Sequence, residues 1–498
     1  MNTFLFLIGF IPIVTIAQNE NHLFDKLEFG RFNSGYKFME AYDRSRPPLA
    51  EQPSKDGRIV PVYFWYPSSE VPKATMTLKR YFEDLAFSLG EKVGPQEKSQ
   101  KAAENFAKYH FDVPDSTLQA YMNLEISTMA ERDLAMAEGN FPLVVFSHGN
   151  VDRWWIWGEY LASHGIAVIG TPNAGTLAKR HEMGLSGLET QIRDAQFAVS
   201  IVSKNSNIDQ ESVIAIGSSY GSLTAAGYAT RDPRVKGVIS LDGIIADVNE
   251  GELLTKTPYF DYQRFNTPIL HVNSGFIWSS NYRIMDRLIY ADQYRIVMDN
   301  MRHSDYHFEG MADLFGVNFR GRKLVDNSTG FKSLSKYLLA FIQGVTGLPE
   351  QLKFKLLTSK LEDVSDITFI KGIGNAYSAD ELLAIIRTAG FDSAENIYLD
   401  AQKINDQPFS LETFYEVGLT LHRYGMLAEE IKWFGYFRES YPKSSDAQYR
   451  LARLIALSGD QKAGKELLRK TIELIPNDPH ISDDRKAYLS SRVEFFLK

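Results

Sequence analysis

A serine inside a short, glycine-flanked turn is the first candidate for chemistry in this chain. Residues 213–229 read VIAIGSSYGSLTAAGYA, with Ser219 at the centre of a G-x-S-x-G pattern. Apolar residues precede the turn and small residues follow it, which predicts a strand, a sharp turn and a helix. Such a turn lifts the serine hydroxyl above the sheet edge, where the N–H groups of the helix N-terminus can bind an anion. Ser219 is therefore a candidate nucleophile.

A serine nucleophile needs a base to take its proton and an acid to orient that base. In proteins with this turn, the three follow in the order serine, acid, histidine. The next predicted strand, GVISL, ends on Asp242, at the sheet edge where sites form. The strand after it, TPILHVNSG, has only Asn273 and Ser274 at its tip. We therefore predict Asp242 as the acid, with Asp286 as the alternative.

Two histidines follow QYRIVMDN, which we predict to be the last strand of the sheet. His303 is nearer to the strand end, so we predict it as the general base, with His307 as the alternative. Together with Asp305, these histidines could also be metal ligands, because imidazole and carboxylate suit zinc. No second ligand-rich cluster completes a metal shell, so the sequence predicts neither a metal nor another cofactor.

The charge that develops during acyl transfer needs two backbone donors. FPLVVFSHGN, at 141–150, is a predicted strand followed by a loop, and Asn150 holds the place of the first donor. The second donor is the N–H of Tyr220, which follows the nucleophile. His148 precedes Gly149 at the strand end, and we interpret it as a residue that orders this loop.

Three tryptophans come next in the chain: Trp154, Trp155 and Trp157. Trp154 and Trp155 are candidates for the wall of an acyl pocket because they follow the oxyanion loop directly. Indole rings on a helix are, however, more commonly part of a core.

The surrounding pattern predicts an α/β fold, a mostly parallel sheet with helices on both faces, over residues 18–345. Strand 141–147, the WWIWGEYLASHG helix and strand IAVIG indicate a right-handed parallel βαβ unit. RIVPVYFWYPSS, at 58–69, predicts an early strand, and FKSLSKYLLAFIQGV, at 331–345, the last helix on the sheet. Apolar residues recur at three and four between 76 and 139, which predicts a helical insert, either a cap over the site or a packing element.

The carboxyl-terminal part predicts an all-α domain at 378–498, after a linker at 346–377. Prolines recur at 408, 442 and 476, a spacing of 34, and glycines at 425 and 459 keep the same period. This is the length of a tetratricopeptide helix pair, with a glycine in the turn inside each unit. A degenerate first unit with Gly390 would make three. Such an array either stabilises the first domain or binds a protein or peptide partner.

Composition limits the remaining possibilities. The chain has 498 residues, a net charge of −8 and no cysteine, which excludes disulfides and thiol chemistry and gives no general attraction to nucleic acid. The apolar run FLFLIGFIPIVTIA at 4–17 predicts a cleaved export signal over residues 1–17, with a membrane anchor as the alternative. No later stretch is apolar for long enough to span a bilayer. We expect an exported protein, periplasmic or secreted.

Several of these motifs together resemble one group of α/β-hydrolases. FSHGN, LASHG, GSSYG and SLDG, with WYP in the early strand, resemble the platelet-activating-factor acetylhydrolase and dienelactone-hydrolase group over about residues 55–345. In the acetylhydrolase branch, this resemblance implies an acid at Asp242 and oxyanion donors at Asn150 and Tyr220. Ser222 stands where many relatives have a second glycine, and the absence of cysteine separates the chain from the dienelactone hydrolases proper.

These observations lead to a single functional expectation. We expect an exported serine hydrolase that cleaves short or medium acyl esters through Ser219, His303 and Asp242, by way of an acyl-enzyme. A serine peptidase of the same fold is the nearest alternative. The other is a binding protein with an inactive hydrolase domain, in which the helical repeats carry the function.

Overall fold

The computed structural model describes residues 27–88, 126–147, 149–179, 181–247, 250–262, 265–275, 281–308, 328–347, 355–372, 377–403 and 406–497. The predicted export signal, the middle of the predicted insert and His148 lie outside the described residues. The chain divides into two compact units. The first comprises residues up to 260, 267–286 and 292–370, and the second comprises 261–266, 287–291 and 371–498.

The first unit contains a ten-stranded mixed sheet, ordered β10-β9-β8-β7-β6-β4-β5-β2-β1-β3. The central strands are parallel to one another; in spatial order they are β5, β4, β6, β7, β8 and β9. On either side of them, β2 runs antiparallel to β5 and β10 runs antiparallel to β9. The strands are β1 (Asn33–Asp43), β2 (Arg58–Ser68), β3 (Ala130–Arg132), β4 (Phe141–Ser147), β5 (Ala167–Gly170), β6 (Ile208–Ser218), β7 (Val235–Leu241), β8 (Ile269–Ser274), β9 (Gln293–Met298) and β10 (Val364–Ile370).

Helices cover this sheet on both faces because its central strands are apolar throughout. Residues 213–216 of β6 have no exposed surface on either side of the strand, as parallel sheets require when both faces are covered. Five helices of the first unit are described: α1 (Leu78–Ser88), α2 (Val151–Ser163), α3 (Leu185–Val202), α4 (Gly221–Ala229) and α5 (Ser328–Val345). This is the predicted α/β-hydrolase architecture, and the βαβ unit β4-α2-β5 is parallel as predicted.

The predicted helical insert is only partly helical in the described residues. Residues 78–88 form α1, but the helix prediction is wrong after residue 125, where Ala130–Arg132 forms β3. Ile126, Thr128 and Ala130 are buried and the residues between them are exposed, which is the two-residue period of an extended chain. The sequence-based prediction was wrong here because Ile126 and Ala130 are four residues apart, a spacing that fits a helix as well as a strand.

A buried carboxyl group joins this insert to α2. Glu159 of α2 accepts hydrogen bonds from the Tyr81 hydroxyl of α1 (2.6 Å) and from the backbone N–H of Met129 (2.7 Å). The Tyr81 hydroxyl in turn accepts one from Trp65 Nε1 of β2 (3.0 Å). Glu159 has no exposed surface, and this burial raises its pKa from 4.5 to about 7. One ionisable group therefore links α1, α2 and the segment that leads into β3.

The second unit is all-helical in its described part. Its helices are α6 (Ala379–Ala389), α7 (Phe391–Gln402), α8 (Leu411–Arg423), α9 (Leu427–Ser440), α10 (Ser445–Leu457), α11 (Gln461–Leu474) and α12 (Asp483–Leu497). Gly390, Gly425 and Gly459 lie between α6 and α7, α8 and α9, and α10 and α11, each with a positive φ (87°, 73° and 113°). A left-handed residue ends the first helix of each pair, and glycine adopts this conformation without strain.

The predicted linker at 346–377 needs a correction. Val364–Ile370, inside that span, forms strand β10 and pairs antiparallel with β9, so the first unit extends to residue 370. This strand has a weak sequence signal because exposed polar residues interrupt its apolar ones. Among the described residues, no helix is long and apolar enough to cross a membrane.

The buried Glu159 generates a prediction about stability and pH. Because the folded state holds the Glu159 proton up to about pH 7 while the unfolded chain releases it near 4.5, the free energy of unfolding falls as pH rises between these values. Glu159→Gln removes this titration. Urea unfolding at about pH 5 and about pH 8 should therefore show wild type losing more stability than the variant. Glu138→Gln, at an exposed position, is the control and should follow wild type; parallel curves for wild type and Glu159→Gln would contradict the prediction.

Candidate active site

The candidate nucleophile lies in a strained turn between β6 and α4. Ser219 has a φ of 53°, in the left-handed region that side-chain-bearing residues rarely adopt. Two hydrogen bonds fix this conformation: Ser219 N–H donates to the Leu241 carbonyl (3.1 Å), and Ile244 N–H donates to the Ser219 carbonyl (3.2 Å). These two bonds attach the Ser219 turn to the chain on both sides of Asp242, at Leu241 and at Ile244. The serine and the predicted acid therefore occupy neighbouring turns at the carboxyl ends of β6 and β7.

Close packing around these turns explains two glycines. A Cβ at Gly217 would overlap the carbonyl group of Gly221 at the start of α4. A Cβ at Gly243 would overlap the side chains of Ser240 and Ser222. In both cases the overlapping atoms belong to the packed residues around the turn. A larger residue at either position would therefore move the backbone that holds Ser219.

The structure brings the predicted acid and base together. Asp242 also has a left-handed φ, 45°, and its side chain is fully buried. Its Oδ1 accepts a hydrogen bond from Ser274 N–H (2.8 Å), and its Oδ2 accepts one from His303 Nδ1 (2.6 Å). Because Nδ1 carries the proton in this bond, the neutral ring has its lone pair on Nε2. The His303 side chain is half exposed, so this basic nitrogen belongs to a ring that solvent can reach.

The two alternative residues have other surroundings. Asp286 Oδ1 forms an ion pair with Arg295 (2.7 Å), and its side chain is mostly exposed. His307 is buried, and its ring packs edge-on against Trp154 at 5.0 Å. Neither arrangement resembles the 2.6 Å bond that joins Asp242 to His303.

A buried histidine that the sequence analysis missed lies near the acid. His271 of β8 has no exposed surface, and its Nδ1 lies 2.8 Å from Ser240 Oγ on β7. Burial lowers the His271 pKa to about 4, so the ring is neutral at ordinary pH. The only sequence signal was a histidine in the middle of an apolar strand. The contact between His271 and Ser240 therefore joins β8 to β7 near the end of β7, which Asp242 follows.

The predicted oxyanion donors lie at two adjacent helix starts. Ser147 at the end of β4 is in register with Gly217 of β6, so the chain at Asn150 and the chain at Tyr220 leave the sheet side by side. Asn150 precedes α2 and Tyr220 precedes α4, where helix geometry leaves backbone N–H groups available to an anion. β5 lies on one side of β4 and β6 on the other, which is the switch point where α/β sheets bind ligands.

The acyl-pocket prediction for Trp154 and Trp155 is not supported. Both residues have no exposed surface. The Trp154 ring stacks on Phe146 of β4 at 4.3 Å, and the Trp155 ring stacks on Tyr81 of α1 at 5.9 Å. Trp157 is equally buried. These indoles form the core between α2 and the sheet because a helix followed by two strands needs large apolar side chains on its inner face.

The metal interpretation finds no support in the described part of the chain, where no group of three or more histidine or acidic side chains could hold an ion. His303 faces Asp242, and Asp305 accepts a hydrogen bond from the N–H of Arg302 (2.8 Å). The carboxylate therefore caps the short helix that begins at His303. Its role is to orient that turn.

The chain is similar to solved structures of other proteins. The chain is similar to a ferulic acid esterase from Streptomyces cinnamoneus, with a TM-score of 0.48 and 19% sequence identity. The similarity covers 68% of this chain and 97% of that one. No family model matches the sequence, and no curated protein matches it.

Gly217 provides a test of how tightly the turn is built. Gly217→Ala should lower the free energy of unfolding by about 1–3 kcal/mol, because the new methyl group meets backbone that cannot rotate away. Gly184→Ala is the matched control: nothing lies within 4 Å of a Cβ there, so its effect should stay below about 1 kcal/mol. Urea unfolding measures both variants. Equal stability of the two would show that the turn has room to spare.

Proposed function

We propose that this protein is a serine hydrolase that cleaves carboxylic esters, with Ser219 as nucleophile, His303 as general base and Asp242 as the orienting acid. The observation that carries the proposal is the Asp242–His303 hydrogen bond of 2.6 Å beside the left-handed turn at Ser219. A histidine held by a buried carboxylate, in a turn that is hydrogen-bonded to the turn of a strained serine, fits the arrangement that serine acyl transfer requires.

The reaction follows from the roles of these atoms. His303 Nε2 takes the Ser219 hydroxyl proton while Oγ attacks the ester carbonyl carbon, and the carbonyl oxygen becomes an anion. The N–H groups of Asn150 and Tyr220 bind that anion. The intermediate collapses with release of the alcohol, which takes the proton from His303. A water molecule then attacks the acyl-enzyme and gives its proton to His303. As the second intermediate collapses, the acid leaves and His303 returns the proton to Ser219 Oγ.

The short helix that begins at His303 and the buried Asp242 give the imidazole a fixed direction. Asp242 is held by Ser274, whose N–H donates to Oδ1, and its Oδ2 accepts the short bond from His303 Nδ1. When the ring becomes charged during attack, the fully buried Asp242 carboxylate stabilises that charge. The preference for short or medium acyl groups, and membership of the acetylhydrolase and dienelactone-hydrolase-like group, are part of the same proposal and depend on the motif resemblance.

The proposal is tested by labelling and by substrate. A fluorophosphonate probe should label wild type at Ser219, and p-nitrophenyl esters of increasing chain length should be hydrolysed faster than aminoacyl amides. Ser219→Ala should abolish both. Faster cleavage of the amides would indicate a peptidase instead, and absence of labelling in folded protein would indicate a binding protein.

The acid assignment gives a sharper prediction. Asp242→Asn keeps size and packing but removes the charge that orients His303, so kcat should fall by about four orders of magnitude. Asp286→Asn is the control and should cost less than about tenfold, because Asp286 pairs with Arg295 on the surface. Both variants are first checked for folding by circular dichroism. The assignment is wrong if the Asp286 variant loses activity and the Asp242 variant keeps it.

We also propose that the protein is exported, on the strength of the apolar run at 4–17 followed by QNENH. The mature chain should then begin near Gln18. Intact mass of protein recovered from the exported fraction measures this directly. Recovery of the chain in the membrane fraction with residues 1–17 attached would contradict the proposal.

A further inference from the structure

The loop at 171–184, between β5 and α3, lies against the residue that follows the nucleophile. The Tyr220 hydroxyl donates a hydrogen bond to the Gly184 carbonyl (2.9 Å). The ring of His181 packs edge-on against the Tyr220 ring, with centroids 5.1 Å apart. His181 therefore packs on the side chain of the residue that follows Ser219.

Residues 173–176 of this loop are hydrogen-bonded to neighbouring elements of the first unit. Buried Arg58 donates to the carbonyls of Gly175 (3.0 Å) and Thr176 (3.1 Å), and its guanidinium is paired with buried Asp194 of α3 (2.9 Å). At the start of the loop, Asn173 N–H donates to the Asn150 side chain (3.2 Å). Residues 173–176 of the loop are thus bonded both to the core and to Asn150, the proposed oxyanion residue that precedes α2.

A chain of hydrogen bonds determines which ring nitrogen of His181 carries the proton. His181 Nε2 lies 3.0 Å from Met183 Sδ, which can only accept, so Nε2 must be protonated. His181 Nδ1 lies 2.9 Å from Gln191 Nε2, which can only donate, so Nδ1 must be unprotonated. The Gln191 amide is oriented by the Thr224 hydroxyl, which donates to its Oε1 (3.3 Å). Burial lowers the His181 pKa, in agreement with a neutral ring.

The proton on Nε2 faces a weak partner that is easily replaced. A thioether sulfur is a poor acceptor compared with an oxygen. Met183 is also 56% exposed, so its side chain can move aside at small cost. The Gln191 side, in contrast, is buried and fixed. Gln191 therefore holds His181 at Nδ1, whereas Nε2–H donates to the Met183 sulfur, which another acceptor can replace.

We propose that His181 is a substrate-contacting residue whose Nε2–H donates a hydrogen bond to an oxygen in the acyl group of the ester, replacing the Met183 sulfur. This inference rests on the proposed esterase function. The acyl half is the relevant one because Tyr220 N–H binds the carbonyl oxygen, and His181 packs on Tyr220. The substrate class is then an ester whose acyl chain carries an ether, hydroxyl or carbonyl oxygen close to the scissile bond.

The test compares two acyl groups of nearly equal size, p-nitrophenyl methoxyacetate and p-nitrophenyl butyrate, which differ by an oxygen in place of a methylene. His181→Phe keeps a ring against Tyr220 but removes the donor. It should lower kcat/KM for the methoxyacetate by about tenfold and leave the butyrate nearly unchanged. His181→Gln, whose amide nitrogen reaches about as far as Nε2, should restore part of the preference.

Two outcomes overturn the inference. One is an equal effect of His181→Phe on both esters, and the other is a ¹⁵N NMR spectrum of wild type that places the neutral-ring proton of His181 on Nδ1. The NMR measurement is made on wild type, and a variant is needed only to assign the His181 signal. Failure of the esterase proposal is recognised separately, because wild type would then hydrolyse neither ester and Ser219 would not react with a fluorophosphonate.

Discussion

The site depends on the connection between two left-handed turns. Ser219 and Asp242 both adopt a backbone conformation that costs energy for residues with side chains, and two backbone hydrogen bonds join their turns. Ser219 N–H bonds the carbonyl just before Asp242, and Ser219 C=O receives the N–H of Ile244 just after it. Neither turn can relax alone, so nucleophile and acid keep their relative position without relying on side-chain contacts.

Ser222 strengthens this connection in a way that the motif alone does not suggest. Its hydroxyl donates to the Ser219 carbonyl (2.7 Å) and accepts from Ile245 N–H (3.2 Å). A glycine here, as in many proteins with a similar turn, could make neither bond. The departure from the usual pattern is therefore a third link between the two turns, and the small size of serine lets it fit beside Gly243.

Much of the sheet and most of the proposed site could be predicted because they depend on local signals. Apolar runs marked the central strands, and residues just after a strand end necessarily meet at one edge, which placed Asp242 correctly beside Ser219. What could not be predicted depends on long-range partners. Strand β10 is visible only through its pairing with β9, and the raised pKa of Glu159 follows from its complete burial, to which elements far away in sequence contribute. The spacing of apolar residues alone could not distinguish a helix from a strand at 126–130. It also could not show that the Trp154 side chain packs into the core.

Strand β10 has a consequence for self-association. Without it, β9 would present a row of unpaired backbone groups at the edge of the sheet, a template on which another copy of the chain could add a strand. β10 occupies that position and is itself unsuited to further pairing: its ladder is irregular between Val364 and Asp366, and Asp366 places a charge on its exposed side. A chain cut at the end of α5 would expose β9 instead. The segment that looked like a linker therefore protects the sheet against aggregation.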